Sequence, residues 1–505
     1  MLARIATFAV DGVDARRVWV EADIRQGLPA FTVVGLADKA VREARERVRA
    51  AMINSGYEFP LRRITVNLAP AYLRKVGPAF DLPLAVALLV ASYQLEPEHV
   101  DDCAVIGELS LTGAVRAVRG ALAVAEGARR AELKRLVLPR AVAREAALVP
   151  DIDIVGIESL QQLVETVRGD HAPPAMPDEP PEHGEEDAEL SDVRGHNGLI
   201  PGLEVAAAGG HNLFLQGPPG TGKTMIARRL PSILPPLSRE EALEVTRIQS
   251  IAGLRGAAAG LVTTRPFRAP HHTISAAGLV GGGNPPQPGE ATLAHRGVLF
   301  LDELSEFARP SLESLRQPLE DGRVTIVRGQ QVMAFPTSFM LVAASNPCPC
   351  GLGDARCQCA PGDILRHRRR LSGPLLDRMD ILMRVERPPS DALRRQVAPK
   401  SATVRERVVA ARERQLHRLH GQPETCNAQL TSLQLRELGR VKPAALQLLG
   451  ELYDLHTLSA RGHTRILRVA RTVADLDGCE TVEPDHVSVA ASLRFDDARE
   501  LAEAA

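Results

Sequence analysis

Leu213-Phe214-Leu215-Gln216-Gly217-Pro218-Pro219-Gly220-Thr221-Gly222-Lys223-Thr224-Met225-Ile226-Ala227-Arg228-Arg229-Leu230 passes from an apolar run through a glycine-rich turn into a helical pattern. This reads as a phosphate-binding loop between a buried strand and a helix. The glycines let the backbone curl with its N–H groups pointing inward, Lys223 reaches the outer phosphates of a nucleoside triphosphate, and the Thr224 hydroxyl holds Mg²⁺. Every position from Gly217 through Pro218, Pro219, Gly220, Thr221 and Gly222 to Lys223 and Thr224 is therefore a candidate nucleotide contact.

Binding a triphosphate is half of an ATPase; the other half is an acidic strand end. Gly297-Val298-Leu299-Phe300-Leu301-Asp302-Glu303 supplies it. A continuous apolar run ending in carboxylates is how a strand buried on both faces of a parallel sheet reads. Asp302 is expected in the Mg²⁺ shell, and Glu303 is expected to orient and polarise the attacking water. Phosphoryl transfer needs positioning and charge neutralisation more than covalent chemistry, so these groups form a sufficient core. A third apolar strand, Phe339-Met340-Leu341-Val342-Ala343-Ala344, ends in Ser345-Asn346. The bland alternative for Asp302-Glu303 is a pair of helix-capping carboxylates.

The chain has 505 residues, too many for one core, and about 150 residues per domain suggests three or so units. A formal net charge of −1 excludes a molecule that is basic all over, so any nucleic-acid surface must be local. The start lacks a secretion-signal pattern, because Arg4 and Asp11 interrupt Met1 to Val13. Leu82 to Leu95 is apolar but short of the roughly 20 residues a bilayer crossing needs, and it contains Pro83. A soluble cytoplasmic protein with no membrane partner is expected. Seven cysteines, four of them crowded together, fit reduced thiols with a metal site better than a disulfide scaffold.

His171 to Glu189 has too few large apolar residues to offset its ordering entropy and reads as a linker. Before it, strand-like runs (Val18 to Val20, Phe31 to Val34, Ile64 to Val66) alternate with helical ones (Lys39 to Ile53, Gly120 to Ala131). From Ser401 onward the pattern is helical, with Ser401 to His420 and Arg465 to Leu476 amphipathic. The expected division is an α/β N-terminal domain over 1–169, an acidic, proline-rich linker over 170–190, an ATPase core over 191–390 and a small α-helical lid over 391–505.

Taken together, these residues resemble the AAA+ superfamily, within it the magnesium-chelatase-like branch that also holds the MCM helicases. The resemblance implies that Asn346 is the sensor orienting the catalytic water. It implies that Arg378, in Leu375-Leu376-Asp377-Arg378-Met379-Asp380, is an arginine finger acting on a neighbouring subunit's γ-phosphate, hence a homohexameric ring. Ser459-Ala460-Arg461 is similar to the second sensor on the lid, with Arg461 the first choice and Arg468 the second. Arg265 to Ser275, Gly278 to Gly283 and Ser345 to Gly351 resemble the insertions of ComM/YifB-type competence ATPases. Taken alone, His271-His272 reads as a hydrogen-bonded loop pair rather than as metal ligands. Gly195 to Gly202 departs from the family pattern, which puts the adenine-side contacts in doubt.

Gly107 to Val115 and Lys75 to Asp81 are similar to the Lon-type protease domain. In that register Ala79 stands where the nucleophilic serine would be and Leu122 where the lysine would be. Neither side chain can attack a carbonyl or carry a proton, so an inactive Lon-protease-like scaffold is expected.

Cys348, Cys350, Cys357 and Cys359 form two C-x-C pairs, and four thiolates can close a tetrahedral Zn²⁺ site. Free or redox-active thiols are the alternative. No ligand position is left open for water, so a bound zinc would be structural. Arg366-His367-Arg368-Arg369-Arg370 reads either as a solvated helix face or as a local polyanion contact. Asp321 to Val332 reads as a β-hairpin around Arg328-Gly329-Gln330. Related hexameric helicases place such a hairpin in the central pore, where Arg328 would grip a DNA phosphate.

The expected function is an ATP-driven DNA motor using ATP and Mg²⁺. It would move branch points in single-stranded and branched DNA, with recombination proteins as further partners, during natural transformation. A magnesium-chelatase-like or protein-remodelling ATPase is the alternative.

Overall fold

A computed structural model describes the chain except residues 1, 37, 173–187, 257–258, 284–285, 329–330, 354–356, 372, 396–397, 456–458 and 503–505. Most of the expected linker lies outside the described residues. The N-terminal part is a mixed α/β unit. Its main strands are β1 (Leu2–Asp11), β2 (Asp14–Arg25), β3 (Ala30–Val34), β4 (Arg63–Ala69), β5 (Cys103–Val105), β6 (Arg135–Pro139) and β7 (Asp153–Ile157). They form one sheet in the order β3-β4-β2-β1-β5-β6-β7. β1 and β2 are an antiparallel pair in register Ile5 to Val20, whereas β5, β6 and β7 run parallel. The parallel half needs crossover helices, and the chain supplies them in sequence.

Helix α1 (Lys39–Asn54) starts at Asp38, whose side chain accepts from the Val41 amide as an N-cap. The apolar run that is too short for a bilayer becomes α2 (Asp81–Ala91), buried along its whole length. Asp81 goes inside with it because the Arg47 guanidinium grips both its oxygens at 2.7 and 2.9 Å. Among the described residues no helix is long and apolar enough to cross a membrane. Helix α3 (Ala121–Arg130) carries Leu122, fully buried, in an apolar cluster against which Ala79 packs. Hydrocarbon therefore fills the place where the sequence resemblance would put a nucleophile and its lysine.

The second unit is a parallel five-stranded sheet. Helix α4 (Ile200–Gly209) leads into β8 (Leu213–Gln216), followed by α5 (Lys223–Ile233) and α6 (Arg239–Ala252). Then come β9 (Phe267–Arg268), β10 (Val298–Leu301), the short helix α7 (Arg316–Asp321), the hairpin strands β11 (Arg323–Arg328) and β12 (Gln331–Pro336), β13 (Met340–Ser345), α8 (Pro361–Arg370) and β14 (Ile381–Arg384). The strand order is β9-β10-β13-β8-β14. Successive side chains of β8 and β10 enter opposite cores, Leu213, Leu215 and Phe300 on one face and Phe214, Leu299 and Leu301 on the other. That is why these runs are apolar without alternation.

The C-terminal helices α9 (Ser401–Arg418), α10 (Ala460–Leu476) and α11 (Pro484–Ala502) pack behind this sheet, α9 and α10 against α4 and α11 against β14. A buried polar network fastens them: His211 joins Asp380 at 3.3 Å and Thr472 at 2.8 Å, and Arg471 pairs with Asp475 at 3.0 Å.

The units touch along α6 and at the hairpin. Glu145, buried in the N-terminal unit, accepts from Ser250 of α6 at 2.5 Å and from the Leu122 amide at 2.8 Å, with Arg255 at 3.5 Å. Val13, in the turn between β1 and β2, packs against Val324, Ile326 and Phe335 of the hairpin.

Candidate functional site

The phosphate loop follows β8, where the sheet leaves the backbone N–H groups of the next helix open for an anion. Gly217 has no room for a side chain: a Cβ would lie 2.1 Å from the Val385 carbonyl oxygen. Gly222 caps α5 with φ +92°, a left-handed conformation that favours glycine. Lys223 curls back over the loop, donating to the carbonyls of Gly217 at 2.6 Å and Pro218 at 2.8 Å and to the Asn346 side chain at 3.1 Å. Burial holds its ammonium below the ordinary lysine range, while Asp302 and Glu303 pull the other way.

Asp302 and Glu303 follow β10. Thr224 donates to Asp302 at 2.5 Å, so the hydroxyl and the carboxylate converge on one point, as a shared Mg²⁺ requires. Glu303 has φ 52° and turns its carboxylate toward His272, 3.7 Å away. His272 in turn stacks on His271, which is hydrogen-bonded to Thr273 at 2.9 Å. The histidine pair is thus a loop pair, but one member faces the acidic strand end. Asn346 completes the group at the end of β13. Loop, carboxylates and amide meet at one end of three adjacent strands, and they fit a magnesium–triphosphate ligand: two oxygen donors for the metal, an ammonium and helix N–H groups for the phosphates.

Two further residues, for which the sequence carries no local signal, stand beside candidate site residues. His196, in the atypical Gly195 to Gly202 segment, is buried, hydrogen-bonded to the Thr221 backbone and held below the usual histidine range by burial. That segment therefore lies on the loop, and α4 begins beside Pro201, which a first helical turn tolerates. Glu320, on α7, accepts from the Arg378 guanidinium.

Arg378 and Arg461 are brought together at the other end of the sheet. Both line a cavity of about 690 Å³ with Arg412, Arg465 and Arg468, beside Asn212 and Gly297, which precede β8 and β10. Strands of four to six residues rise about 3.3 Å per residue, which puts the two sheet ends roughly 13 to 20 Å apart. Burial and the like charges of Arg316 and Arg461 hold Arg378 below the ordinary arginine range. Arg461 is exposed at the start of α10, whereas Arg468 lies deeper and donates to the Leu430 carbonyl at 2.7 Å.

The four cysteine sulfurs lie within 4.8 Å of one another. Their separations include 3.3, 3.6 and 3.9 Å, against about 3.8 Å for the edge of a tetrahedron of 2.3 Å Zn–S bonds. Backbone amides at Gln358 and Leu352 draw the Cys350 thiol down to about 6, toward the thiolate a metal binds, whereas burial and the neighbouring thiols push Cys348 and Cys359 up. The cysteine loop touches the phosphate loop, since a Cβ on Gly351 would lie 2.7 Å from Pro219. It leads into α8, whose buried His367 bonds the Asn346 carbonyl at 3.0 Å. Arg366 pairs with Asp363 at 3.4 Å and Arg370 approaches Glu306 at 3.9 Å, so part of the basic run is compensated locally. In the hairpin, Arg328 pairs in register with Gln331, and the intervening residues 329 and 330 lie outside the described residues.

Comparison with known families matches residues 189–393 to magnesium chelatase, subunit ChlI, residues 20–142 to subunit ChlI of Mg-chelatase, and residues 398–494 to the subunit's C-terminal region. YifB of Escherichia coli is 44% identical over 500 residues, covering 98% of this chain and 97% of the relative. Competence protein ComM of Haemophilus influenzae is 39% identical over 501 residues, covering 98% of this chain and 97% of ComM. The Lon protease of Chloroflexus aurantiacus is 32% identical over 130 residues, 24% of this chain and 16% of the protease.

Proposed function

The chain belongs to the ComM/YifB-type, magnesium-chelatase-like family, and from that premise we propose that it is a ring-forming AAA+ ATPase that drives movement along single-stranded and branched DNA. The observation that carries this reading is the division of the charged groups between the two ends of one sheet. Lys223, Thr224, Asp302, Glu303 and Asn346 stand at one end, and Arg378 and Arg461 stand at the other. The two arginines line a cavity at the strand ends opposite their own loop, and a second subunit would bring its nucleotide to them. Arg461 is preferred over Arg468 because it is exposed at the cavity, whereas Arg468 is engaged by the Leu430 carbonyl.

In this mechanism the loop amides and Lys223 bind the β- and γ-phosphates, and Asn346 and Glu303 hold the attacking water in line. Mg²⁺, held through Thr224 and Asp302, would supply charge neutralisation at the phosphates. Arg378 and Arg461 stabilise the spreading negative charge across the subunit boundary. The relative named competence protein ComM directs the biological reading to natural transformation, with recombination proteins as partners.

The test is the ATPase rate with and without single-stranded and branched DNA. Stimulation by DNA is the expected result; an indifferent rate with no DNA binding by assembled rings sinks the motor reading in favour of protein remodelling or a chelatase-like ATPase. Arg328→Ala should remove most of the stimulation while sparing the basal rate, since it deletes a phosphate grip and no catalytic group. Affinity should fall steeply with salt, and unchanged stimulation in this variant excludes the hairpin as the DNA-moving element.

The cysteine cluster is proposed as a structural Zn²⁺ site on the evidence of the sulfur spacing. Protein purified without chelator should carry about one zinc per chain, and Cys357→Ser should lose it and loosen the segment between Asn346 and α8, because structural zinc binding is itself folding free energy. Elemental analysis finding no zinc, with four freely alkylated thiols, leaves free thiols standing.

A further inference from the structure

In the basic cavity behind the sheet, cations outnumber carboxylates, and two of the three carboxylates are already engaged. Glu241 is held by Arg265 at 2.9 Å, and Asp380 by His211 at 3.3 Å and Arg465 at 3.7 Å. The third, Glu320, meets Arg378, whose side chain is only 10% exposed while that of Glu320 is 54% exposed. A guanidinium that accepts a carboxylate in one arrangement and a γ-phosphoryl group in another must exchange the first for the second, because both want the same planar donors.

Glu320 occupies a particular place in the chain. It lies in the last turn of α7, and only Asp321 and Gly322 separate it from the first residue of β11. The Gly322 carbonyl accepts from the Thr337 amide at 2.8 Å, which closes the base of the hairpin just beyond β12. A pull on the hairpin is therefore delivered to the end of α7 with little slack. The residue that holds the arginine thus sits in the helical turn that leads directly into the hairpin's foot.

We infer that Glu320 is a positioning residue for Arg378: it holds the guanidinium back from the adjacent subunit's nucleotide until a DNA strand loads the hairpin and draws the carboxylate away. The inference rests on reading Arg378 as an arginine finger and the hairpin as the DNA grip, and it adds the link between them. No bond is made or broken; an ion pair is traded for a charge-assisted contact to phosphate. Lys223 and Glu303 play no part in the latch, so nucleotide affinity is unaffected by it.

The experiment uses full-length chains assembled into rings verified by native mass measurement, with ATPase kinetics recorded with and without a single-stranded oligothymidine. Glu320→Gln keeps the shape and removes the charge; Glu320→Ala is the second variant should the first assemble poorly. Both should raise kcat without DNA about two- to fivefold, the range of a partly exposed ion pair, leave KM for ATP unchanged, and respond little to added DNA. Glu320→Asp should recover part of the DNA dependence, and Glu320→Gln combined with Arg378→Ala should be as slow as Arg378→Ala alone. A basal rate at or below wild type with full DNA stimulation in both Glu320 variants overturns the latch while leaving the finger reading intact. Arg378→Ala hydrolysing ATP at the wild-type rate overturns the finger reading and the latch with it.

Discussion

Rings assembled only from Arg378→Ala subunits will hydrolyse ATP about 10³- to 10⁵-fold more slowly than wild type, the range associated with an arginine finger, yet each subunit will bind nucleotide normally. The expectation follows from where the side chain stands. Arg378 is at the opposite end of the strands from Lys223, so its removal leaves the phosphate loop of its own chain untouched. Subunit mixing gives the decisive measurement. Arg378→Ala chains retain an intact loop, and Lys223→Ala chains retain an intact finger, so some interfaces in a mixed ring contain both intact halves. Activity that reappears on mixing supports action between subunits. No recovery in verified mixed rings argues that Arg378 works within its own chain or only holds structure.

The second large effect separates two residues of the same site. Glu303→Gln should bind ATP at close to wild-type affinity and hydrolyse it about 10²- to 10⁴-fold more slowly, the typical contribution of a positioned acid–base group. Lys223→Ala should instead weaken ATP binding about tenfold or more, because a charged hydrogen-bond donor to the phosphates is lost from a partly buried site. The lysine acts on the ground state and the glutamate on the attacking water, so titration with a fluorescent ATP analogue and single-turnover hydrolysis should assign one defect to each variant. If Glu303→Gln turns over ATP like wild type, the water-positioning role belongs elsewhere, and His272, 3.7 Å from Glu303, becomes the next group to examine.

Much of the front of the ATPase sheet was legible because its signals are local. A phosphate loop is eight consecutive residues, and β8, β10 and β13 are apolar without alternation for the simple reason that both their faces are covered. The back of the sheet was not legible in this way. His211 meets Thr472 across 261 positions and Asp380 across 169; no periodicity records such pairings. Of the four arginines of α10, only packing distinguishes Arg471, fully buried among backbone carbonyls, from exposed Arg461. Glu320 carries no signal in the sequence, and His196 only that of a family departure, because their meaning depends on what faces them. In the N-terminal unit the runs within β2, β3 and β4 were legible, while the other four strands of the sheet and their order, with β3 and β7 at the edges, depend on long-range pairing and crossovers the pattern does not encode.

A hairpin that hauls on a polymer needs something to brace against, since the thrust on the strand returns as an equal recoil on the protein. The contacts of Val13 with Val324, Ile326 and Phe335 put that abutment in the N-terminal unit. The buried hydrogen bond from Ser250 to Glu145 pins the same unit to α6, and a charge-assisted hydrogen bond fixes a direction where an apolar contact fixes none. On the proposed motor reading, the N-terminal unit, with Ala79 and Leu122 in an apolar cluster where a catalytic pair would stand, is the anvil of each subunit and would keep the recoil of a stroke from being spent on bending the hairpin's own foot.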